Sequence, residues 1–482
     1  MPAAGHRSAQ GIDTALLNAL YWESDKCATV TRLLSGLGRT LHRAAAVELK
    51  RVCQQVHGLR GAMLALADLF PLHTESVYYY LNHLDMVLPS ISKTLDDIQI
   101  LCPGHRRLDD AGWDHLLDTM FDESNQKLEL EGRFKLYTRF FDNLFLGLIQ
   151  SPKFDWRRAE GLRVQMMDLR EDSGMPLPQE FSTVFYPFNE LPAARARRQY
   201  YIEHWAIETV DRRPEVASAF EQGCLYVYRW PPSLQPGSYA NLHSSSSFGP
   251  YTHWNRTGIP DKSKLLFRRG FDNDALSFTV FINNINRLPY VMLRTLLDNV
   301  PLYECRPLSD LRIMRSETKL HLSRWSPSQE GFIHWAVLHF QFFEELVVIQ
   351  CTLLSLKAQT SLAAKAISHD EAVFRDDTRI WETDIKDNGV RHKLAIYRDD
   401  LTGTKRLYAC VANGERYQAY TPAWTIFFSN RRAKPQMECL GDYKLIIYET
   451  SLYTFGDRYL TSKHNPRCFE ITFRHRQGTT QS

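Results

Sequence analysis

The chain has 482 residues, 44% hydrophobic and 23% charged, with a formal net charge of +3. That is the makeup of an ordinary globular protein of about three domains, and the near balance of charge speaks against a strongly basic nucleic-acid binder. Nine scattered cysteines, an odd number without a CxxC, exclude a simple disulfide scaffold or zinc knuckle and fit a reducing compartment.

The first part of the chain reads as helices. Asp13 caps a short segment, Ala15–Trp22. Leu49, Val52, Val56, Leu59, Met63, Leu66 and Phe70 then recur at spacings of three and four, ending near Pro71. Val77, Leu81, Leu84, Leu88, Ile91, Leu95 and Ile98 form the strongest seam, interrupted by Pro89, which is expected to kink or split the helix. Leu130, Phe134, Tyr137, Phe141, Leu144 and Leu148 repeat the pattern, and Trp156–Arg170 offers Leu162, Met166 and Leu169. Short connections between such helices predict antiparallel neighbours, so residues 1–172 read as an up-and-down helical bundle that folds on its own. The run Tyr78-Tyr79-Tyr80 is expected to serve packing, since helical aromatic stripes are usually core.

Residues 173–262 change character. Pro176, Pro178, Pro187 and Pro192 punctuate a linker, and Pro231-Pro232 and Pro236-Gly237 mark a loop. Between them Arg195, Arg197, Arg198, Arg212 and Arg213 interleave with Tyr200, Tyr201 and Trp205 around a short helix, Tyr200–Val210. This basic-aromatic cluster could touch nucleic acid or an acidic partner. The plainer reading, a solvated helix face with an aromatic docked onto the bundle, is preferred.

From residue 263 the periodicity becomes that of strands. Leu265–Arg269, Ala275–Ile282, Tyr290–Leu296, Leu302–Cys305, Leu311–Arg315, Lys319–Trp325 and Trp335–Phe340 are β-branched or aromatic runs separated by turn residues. One amphipathic helix with Phe342, Leu346, Ile349, Leu353 and Leu356 follows. Seven strands and a terminal helix over residues 263–366 resemble the pleckstrin homology (PH) architecture, a small barrel capped by that helix. Residues 367–482 form a second β block: Ile380–Lys386 and Arg391–Arg398 flank Asp387-Asn388-Gly389, Leu407–Ala412 meets its neighbour across Asn413-Gly414, and Trp424–Phe428, Tyr443–Leu452 and Phe469–Arg474 complete it. No closing helix is visible in this block, so a second PH-like barrel and a sheet packed on the first both remain open. The predicted fold is multidomain α+β: a helical bundle, a PH-like seven-stranded barrel with its C-terminal helix, and a second antiparallel β domain.

The segments YYYLNHLDMVLPSISKTLDDIQI, RFKLYTRFFDNLFLGLIQSPKFD, LLFRRGFDNDALSFTVFINN and FQFFEELVVIQCTLLSLKAQ together resemble a family of uncharacterised proteins of filamentous ascomycete fungi. Its members combine a helical amino-terminal domain with a PH-like region, and the resemblance brings no activity or functional residues with it. The helical part is also loosely similar to the amino-terminal domains of fungal STAND-type signalling proteins. No P-loop (GxxxxGK[ST]) follows here, which excludes a STAND ATPase.

Catalytic signatures are absent from the sequence. HExxH, GxSxG and GxGxxG do not occur. His369-Asp370-Glu371 reads as a solvated loop, because adjacent residues point in different directions, and Asp384, Asp387 and Asn388 lack the remaining ligands of a calcium loop. His253 and Trp254, or Cys410 with a distant histidine, have no supporting spacing. Neither an enzyme nor any cofactor or metal is expected. MPAAGHRSAQGID holds no signal-peptide core and no run approaches the roughly 18 apolar residues that span a bilayer, so a cytoplasmic protein is expected, a nuclear one being compatible.

Two functions follow. The first is a non-enzymatic intracellular scaffold or adaptor that binds protein partners, through a groove between a barrel strand and the closing helix. The second is a peripheral membrane protein that recognises phosphoinositides. PH domains of that kind carry lysines and arginines on the first strand and its loop, where Lys262, Lys264, Arg268 and Arg269 stand, Lys264 and Arg268 on one side by alternation. The following loop, Gly270-Phe271-Asp272-Asn273-Asp274, is acidic and would repel a headgroup, each apposed pair costing on the order of 1 kcal/mol. The adaptor is therefore preferred. Candidate partner-binding residues are Lys264, Arg268, Arg269, Arg195, Arg197 and Arg198.

Overall fold

The computed structural model describes residues 9–38, 40–102, 109–122, 128–151, 153–175, 188–189, 204–211, 246–250, 258–260, 263–272, 274–297, 300–360, 368–372, 376–387, 390–412, 421–428, 437–440, 444–448, 452–456 and 468–473. The first part is helical. Helices α1 (Ala9–Leu37), α2 (Arg43–Leu69), α3 (Thr74–Val77), α4 (Leu81–Leu101), α5 (Asp110–Asp122), α6 (Leu130–Leu148) and α7 (Trp156–Asp172) pack around the expected seams. Two differ from expectation. The first helix runs for 29 residues rather than eight, and α5, with Trp113, Leu116 and Met120 buried, has too short a pattern to stand out in the sequence. The three tyrosines form a tight turn before α4, with Tyr80 buried against Gly147 of α6. A Cβ at Gly147 would lie 2.9 Å from the Tyr80 hydroxyl, so the close approach of the two elements requires glycine there.

Pro89 does not split α4, which runs unbroken from Leu81 to Leu101. Proline removes the N–H that the Asp85 carbonyl would otherwise accept. The Arg170 guanidinium of α7 replaces it, Nη1 donating to Asp85 O at 2.8 Å and to Met86 O at 3.0 Å. The broken ladder is satisfied from a neighbouring helix.

The strands of the next part are β1 (Ser263–Phe271), β2 (Leu276–Asn283), β3 (Pro289–Leu297), β4 (Val300–Pro307), β5 (Leu311–Ser316), β6 (Lys319–Ser326) and β7 (Gly331–His339). They hydrogen-bond as two antiparallel sheets, β1-β2-β3-β4 and β5-β6-β7, rather than as one closed barrel. Helix α9 (Phe343–Thr360) follows and is buried with them. The preceding short helix α8 (His204–Asp211) was expected to lay its aromatic on the helical bundle. Trp205 instead enters the core between these sheets, and Thr209 Oγ1 donates to Thr454 O of the last domain at 2.6 Å.

Every residue of β2 is buried, so both faces of the first sheet are covered. Phe278, Val280 and Ile282 face the core shared with α9. Phe281, with Leu265, Met292 and Tyr303, enters the same core as the helices α1–α7. One continuous core thus runs through the helical region and the first sheet, where two separate cores were expected.

The last part contains α10 (His369–Ala372), β8 (Asp377–Asp387), β9 (Val390–Asp399), β10 (Lys405–Val411), β11 (Pro422–Phe427), β12 (Met437–Leu440), β13 (Lys444–Tyr448), β14 (Leu452–Thr454) and β15 (Cys468–Thr472). They form the sheets β14-β11-β10-β9-β8 and β12-β13-β15. The single expected strand at Tyr443–Leu452 is two strands in different sheets, and β12 had no signal strong enough to be read. Ile385, Leu394, Leu407, Trp424, Ile426, Ile447 and Ile471 make this domain's own core.

Candidate functional site

Strand β1 carries the basic residues that sequence reasoning singled out. A bulge between Leu265 and Phe267 shifts its alternation, so Leu265, and not Lys264, shares the helix-facing side with Arg268. The expectation that Lys264 and Arg268 present one common face is corrected by that extra residue. Lys264 itself is half-buried.

Arg268 is fully buried. Its Nε donates to Asp68 Oδ2 on α2 at 2.6 Å, and Nη2 lies 3.4 Å from Asp274 Oδ1. Arg294 of β3 approaches the same carboxylate from the neighbouring strand, Nε to Asp68 Oδ1 at 2.8 Å and Nη2 to Oδ2 at 3.3 Å, while Nη1 donates to Asp274 O at 2.5 Å. The Tyr21 hydroxyl of α1 donates to Asp68 Oδ1 at 3.1 Å and meets the Tyr303 hydroxyl of β4 at 2.9 Å. Burial alone would push the Asp68 carboxyl up. The Arg294 and Arg268 guanidiniums outweigh it and hold the group well below the usual carboxylate range. Burial also pushes the Tyr21 and Tyr303 phenols up, so both remain protonated donors.

The acidic loop after β1 was expected to face an incoming headgroup. Asp274 is instead 2% exposed and turned inward onto Arg268, and Asp272 accepts from Ser247 N at 2.7 Å. Asp272 and Asp274 both sit at positive φ, 51° and 63°, which brings the Asp274 carboxylate over Gly270. A Cβ at Gly270 would overlap that carboxylate.

Arg269 faces the opposite side. Its Nε donates to Glu345 Oε1 of α9 at 2.6 Å, beneath a Phe271 ring 5.1 Å away. Glu345 is fully buried, and burial pushes its carboxyl up against the pull of Arg269. Both guanidiniums of β1 are therefore held by the chain's own carboxylates.

A second buried cluster joins the two β domains. Arg315 of β5 donates from Nη1 to Asp377 Oδ1 of β8 at 2.7 Å and from Nη2 to Asp399 Oδ1 of β9 at 2.5 Å. Arg406 of β10 donates to Asp377 Oδ2 at 2.8 Å. Both guanidiniums stack over Phe343 of α9, at 5.0 and 6.0 Å. The stretch His369-Asp370-Glu371 is not a solvated loop either. Glu371 is buried and accepts from Lys357 Nζ at 2.7 Å and from Ile313 N at 2.9 Å, tying α10 to α9 and β5. Burial pushes the Cys410 thiol up to about 12, so it stays neutral.

Arg195, Arg197 and Arg198 lie outside the described residues, as do Arg212, Arg213, Tyr200, Tyr201, Lys262, His253, Trp254 and the turns Asn388-Gly389 and Asn413-Gly414. Sequence reasoning missed Asp68, Arg294, Arg315, Asp377, Asp399 and Arg406. A signal for Asp68 existed: it is the lone charge in the apolar run Gly61–Leu72, and a charge there requires a partner.

Among the described residues, no helix is long and apolar enough to cross a membrane. Residues 254–375 match a family model described as a PH domain found in tandem in fungal proteins, and residues 378–481 match its companion with the same description. No curated protein and no solved structure matches the chain. The last β block is thus matched as a second PH domain. Residues 254–481 belong to the family of PH domains found in tandem in fungal proteins, here joined to a helical amino-terminal region.

Proposed function

We propose that the chain is a non-enzymatic cytoplasmic adaptor for protein partners, its tandem PH domains locked to each other and to the helical region. One observation carries the choice over phosphoinositide recognition. Arg268 and Arg269, the first-strand cations that would receive a headgroup, are already paired with Asp68, Asp274 and Glu345. An incoming phosphate would have to displace buried carboxylates and leave them uncompensated, a cost of several kcal/mol. The three-part architecture supports the same reading, because buried ion pairs at both junctions fix the relative placement of the surfaces offered to partners. Sedimentation of the full chain at neutral pH with vesicles lacking or containing phosphoinositide is the test. The adaptor reading expects no phosphoinositide-dependent pelleting. Pelleting that needs phosphoinositide and survives physiological salt would replace it with membrane recruitment.

A further inference from the structure

Helix α8 (His204–Asp211) lies outside both PH matches, whose residues begin at 254, yet it fills a slot that both domains line. It packs against β1 and the closing helix α9 of the first domain and against β14 of the second. Trp205 and Ala206, with Thr209 and Val210 one turn on, are all buried, and Ile207 is half-buried. Those four positions share one stripe of the helix, as in an amphipathic helix laid in a groove. The slot is apolar: Trp205, Ala206 and Val210 join a core made by the first domain's strands, α9, and Tyr408, Tyr453 and Phe455 of the second. Thr209 Oγ1 adds its bond to Thr454 O at 2.6 Å.

Three features make this seating that of a bound peptide rather than of a fixed framework element. Eight residues are fewer than an isolated helix needs in water, so α8 is helical only while docked, and undocking is a helix-to-coil step. Its described side chains are uncharged, so they take no part in the buried ion pairs that fix its neighbours, Arg269 with Glu345 and Arg315 with Asp377. The Trp205 Nε1 donor is buried without an acceptor among the described residues, which weakens the seating.

We propose that the slot between β1, α9 and β14 is the partner-binding site of the adaptor, and that α8 is its resident occupant, displaced by a short amphipathic helix of a protein partner. The partner's helix carries the chemistry of the resident one. It has a large aromatic side chain, a small residue directly after it, and a hydroxyl and a β-branched residue four and five positions beyond it. This inference rests on the adaptor reading and names the site and the kind of partner. Exchange in the slot leaves the clusters at Asp68, Glu345 and Asp377 intact, so the two PH domains stay joined throughout.

The test is fluorescence anisotropy of a labelled synthetic peptide with the sequence of residues 200–213, YYIEHWAIETVDRR, added to the full chain. The natural chain, whose own α8 competes, should bind it weakly, and the chain with Trp205→Ala at least about tenfold more tightly. The milder Thr209→Val, which removes one hydrogen bond, should raise affinity about threefold. A peptide that itself carries Trp205→Ala should bind none of these chains. In the natural chain, amide hydrogens of α8 should exchange at least about tenfold faster than those of α9. The proposal is overturned by a variant that keeps its circular dichroism and binds the peptide no better than the natural chain does. Binding by the altered peptide, or α8 amides as protected as those of α9, would overturn it equally. So would dimers of the natural chain that Trp205→Ala abolishes, which would make a second copy's α8 the occupant. The adaptor reading fails by a different result, phosphoinositide-dependent pelleting at neutral pH.

Discussion

Asp68 on α2 and Arg268 on β1 are 200 residues apart in sequence and 2.6 Å apart in space, with neither side chain exposed. With Arg294 they turn a strand residue that reads as a ligand-binding cation into part of a domain junction. The junction is polar at its centre and apolar around it, since Phe281, Met292 and Tyr303 of the sheet enter the helical core.

Removing the Asp68 carboxylate should be severe. Asp68→Ala strips Arg294 of its carboxylate and leaves Arg268 only the more distant Asp274, and should cost about 3–5 kcal/mol, read from urea unfolding of the full chain. Replacing the whole cluster, with Arg268→Met, Arg294→Met and Asp274→Asn beside Asp68→Leu, should cost much less. Equal losses would show that the cluster is not what couples the two parts.

The same carboxylate sets an acid limb. Its folded pKa is depressed, so its contribution is fully present above the unfolded value of about 3.9 and is lost as pH falls below that toward the folded value. Melting temperatures between about pH 5 and pH 2 should fall less steeply for Asp68→Asn than for the natural chain, because the variant has already lost that contribution. Parallel limbs would contradict the assignment.

Arg170 and Pro89 should be coupled. Arg170→Met removes the donors to Asp85 O and Met86 O and should destabilise by about 1–3 kcal/mol. With Pro89→Ala in place, a backbone N–H again serves the Asp85 carbonyl and the same change should cost less. A double-mutant cycle with no coupling energy would refute the compensation.

The tandem should behave as one unit. Asp377→Ala strips Arg315 and Arg406 of their shared carboxylate and should cost about 3–5 kcal/mol, with faster proteolytic cutting between the PH domains than in the natural chain. Unchanged cutting would mean that the cluster does not hold them together.

The shared core also makes a prediction about fragments. Residues 254–481 without the helical region should expose Leu265, Phe281 and Met292, and so bind a hydrophobic dye and aggregate, as should residues 12–172 alone. Two cooperatively folding, dye-silent fragments would restore independent domains.

What the sequence by itself determined was the kind and order of the elements. Seams such as Leu130–Leu148 and the seven β-rich runs of residues 263–340 carry their periodicity locally, because core-facing positions repeat with the helix or strand period wherever the partner lies. The lone Asp68 in an apolar run was legible as a charge in need of a partner, although not which one. Only the tertiary structure decided that its partners are Arg268 and Arg294, that a one-residue bulge separates Lys264 from Arg268, and that Arg170 serves the carbonyl freed by Pro89. The polar side of the first sheet, with Arg268, Ser277, Thr279 and Arg294, has the alternation of a solvent-facing surface, and a helical region with a carboxylate at the right height buries it. Sequence period records that one face of a strand differs from the other. Whether the polar face meets water or a matching ion is settled by long-range contacts that no local pattern encodes.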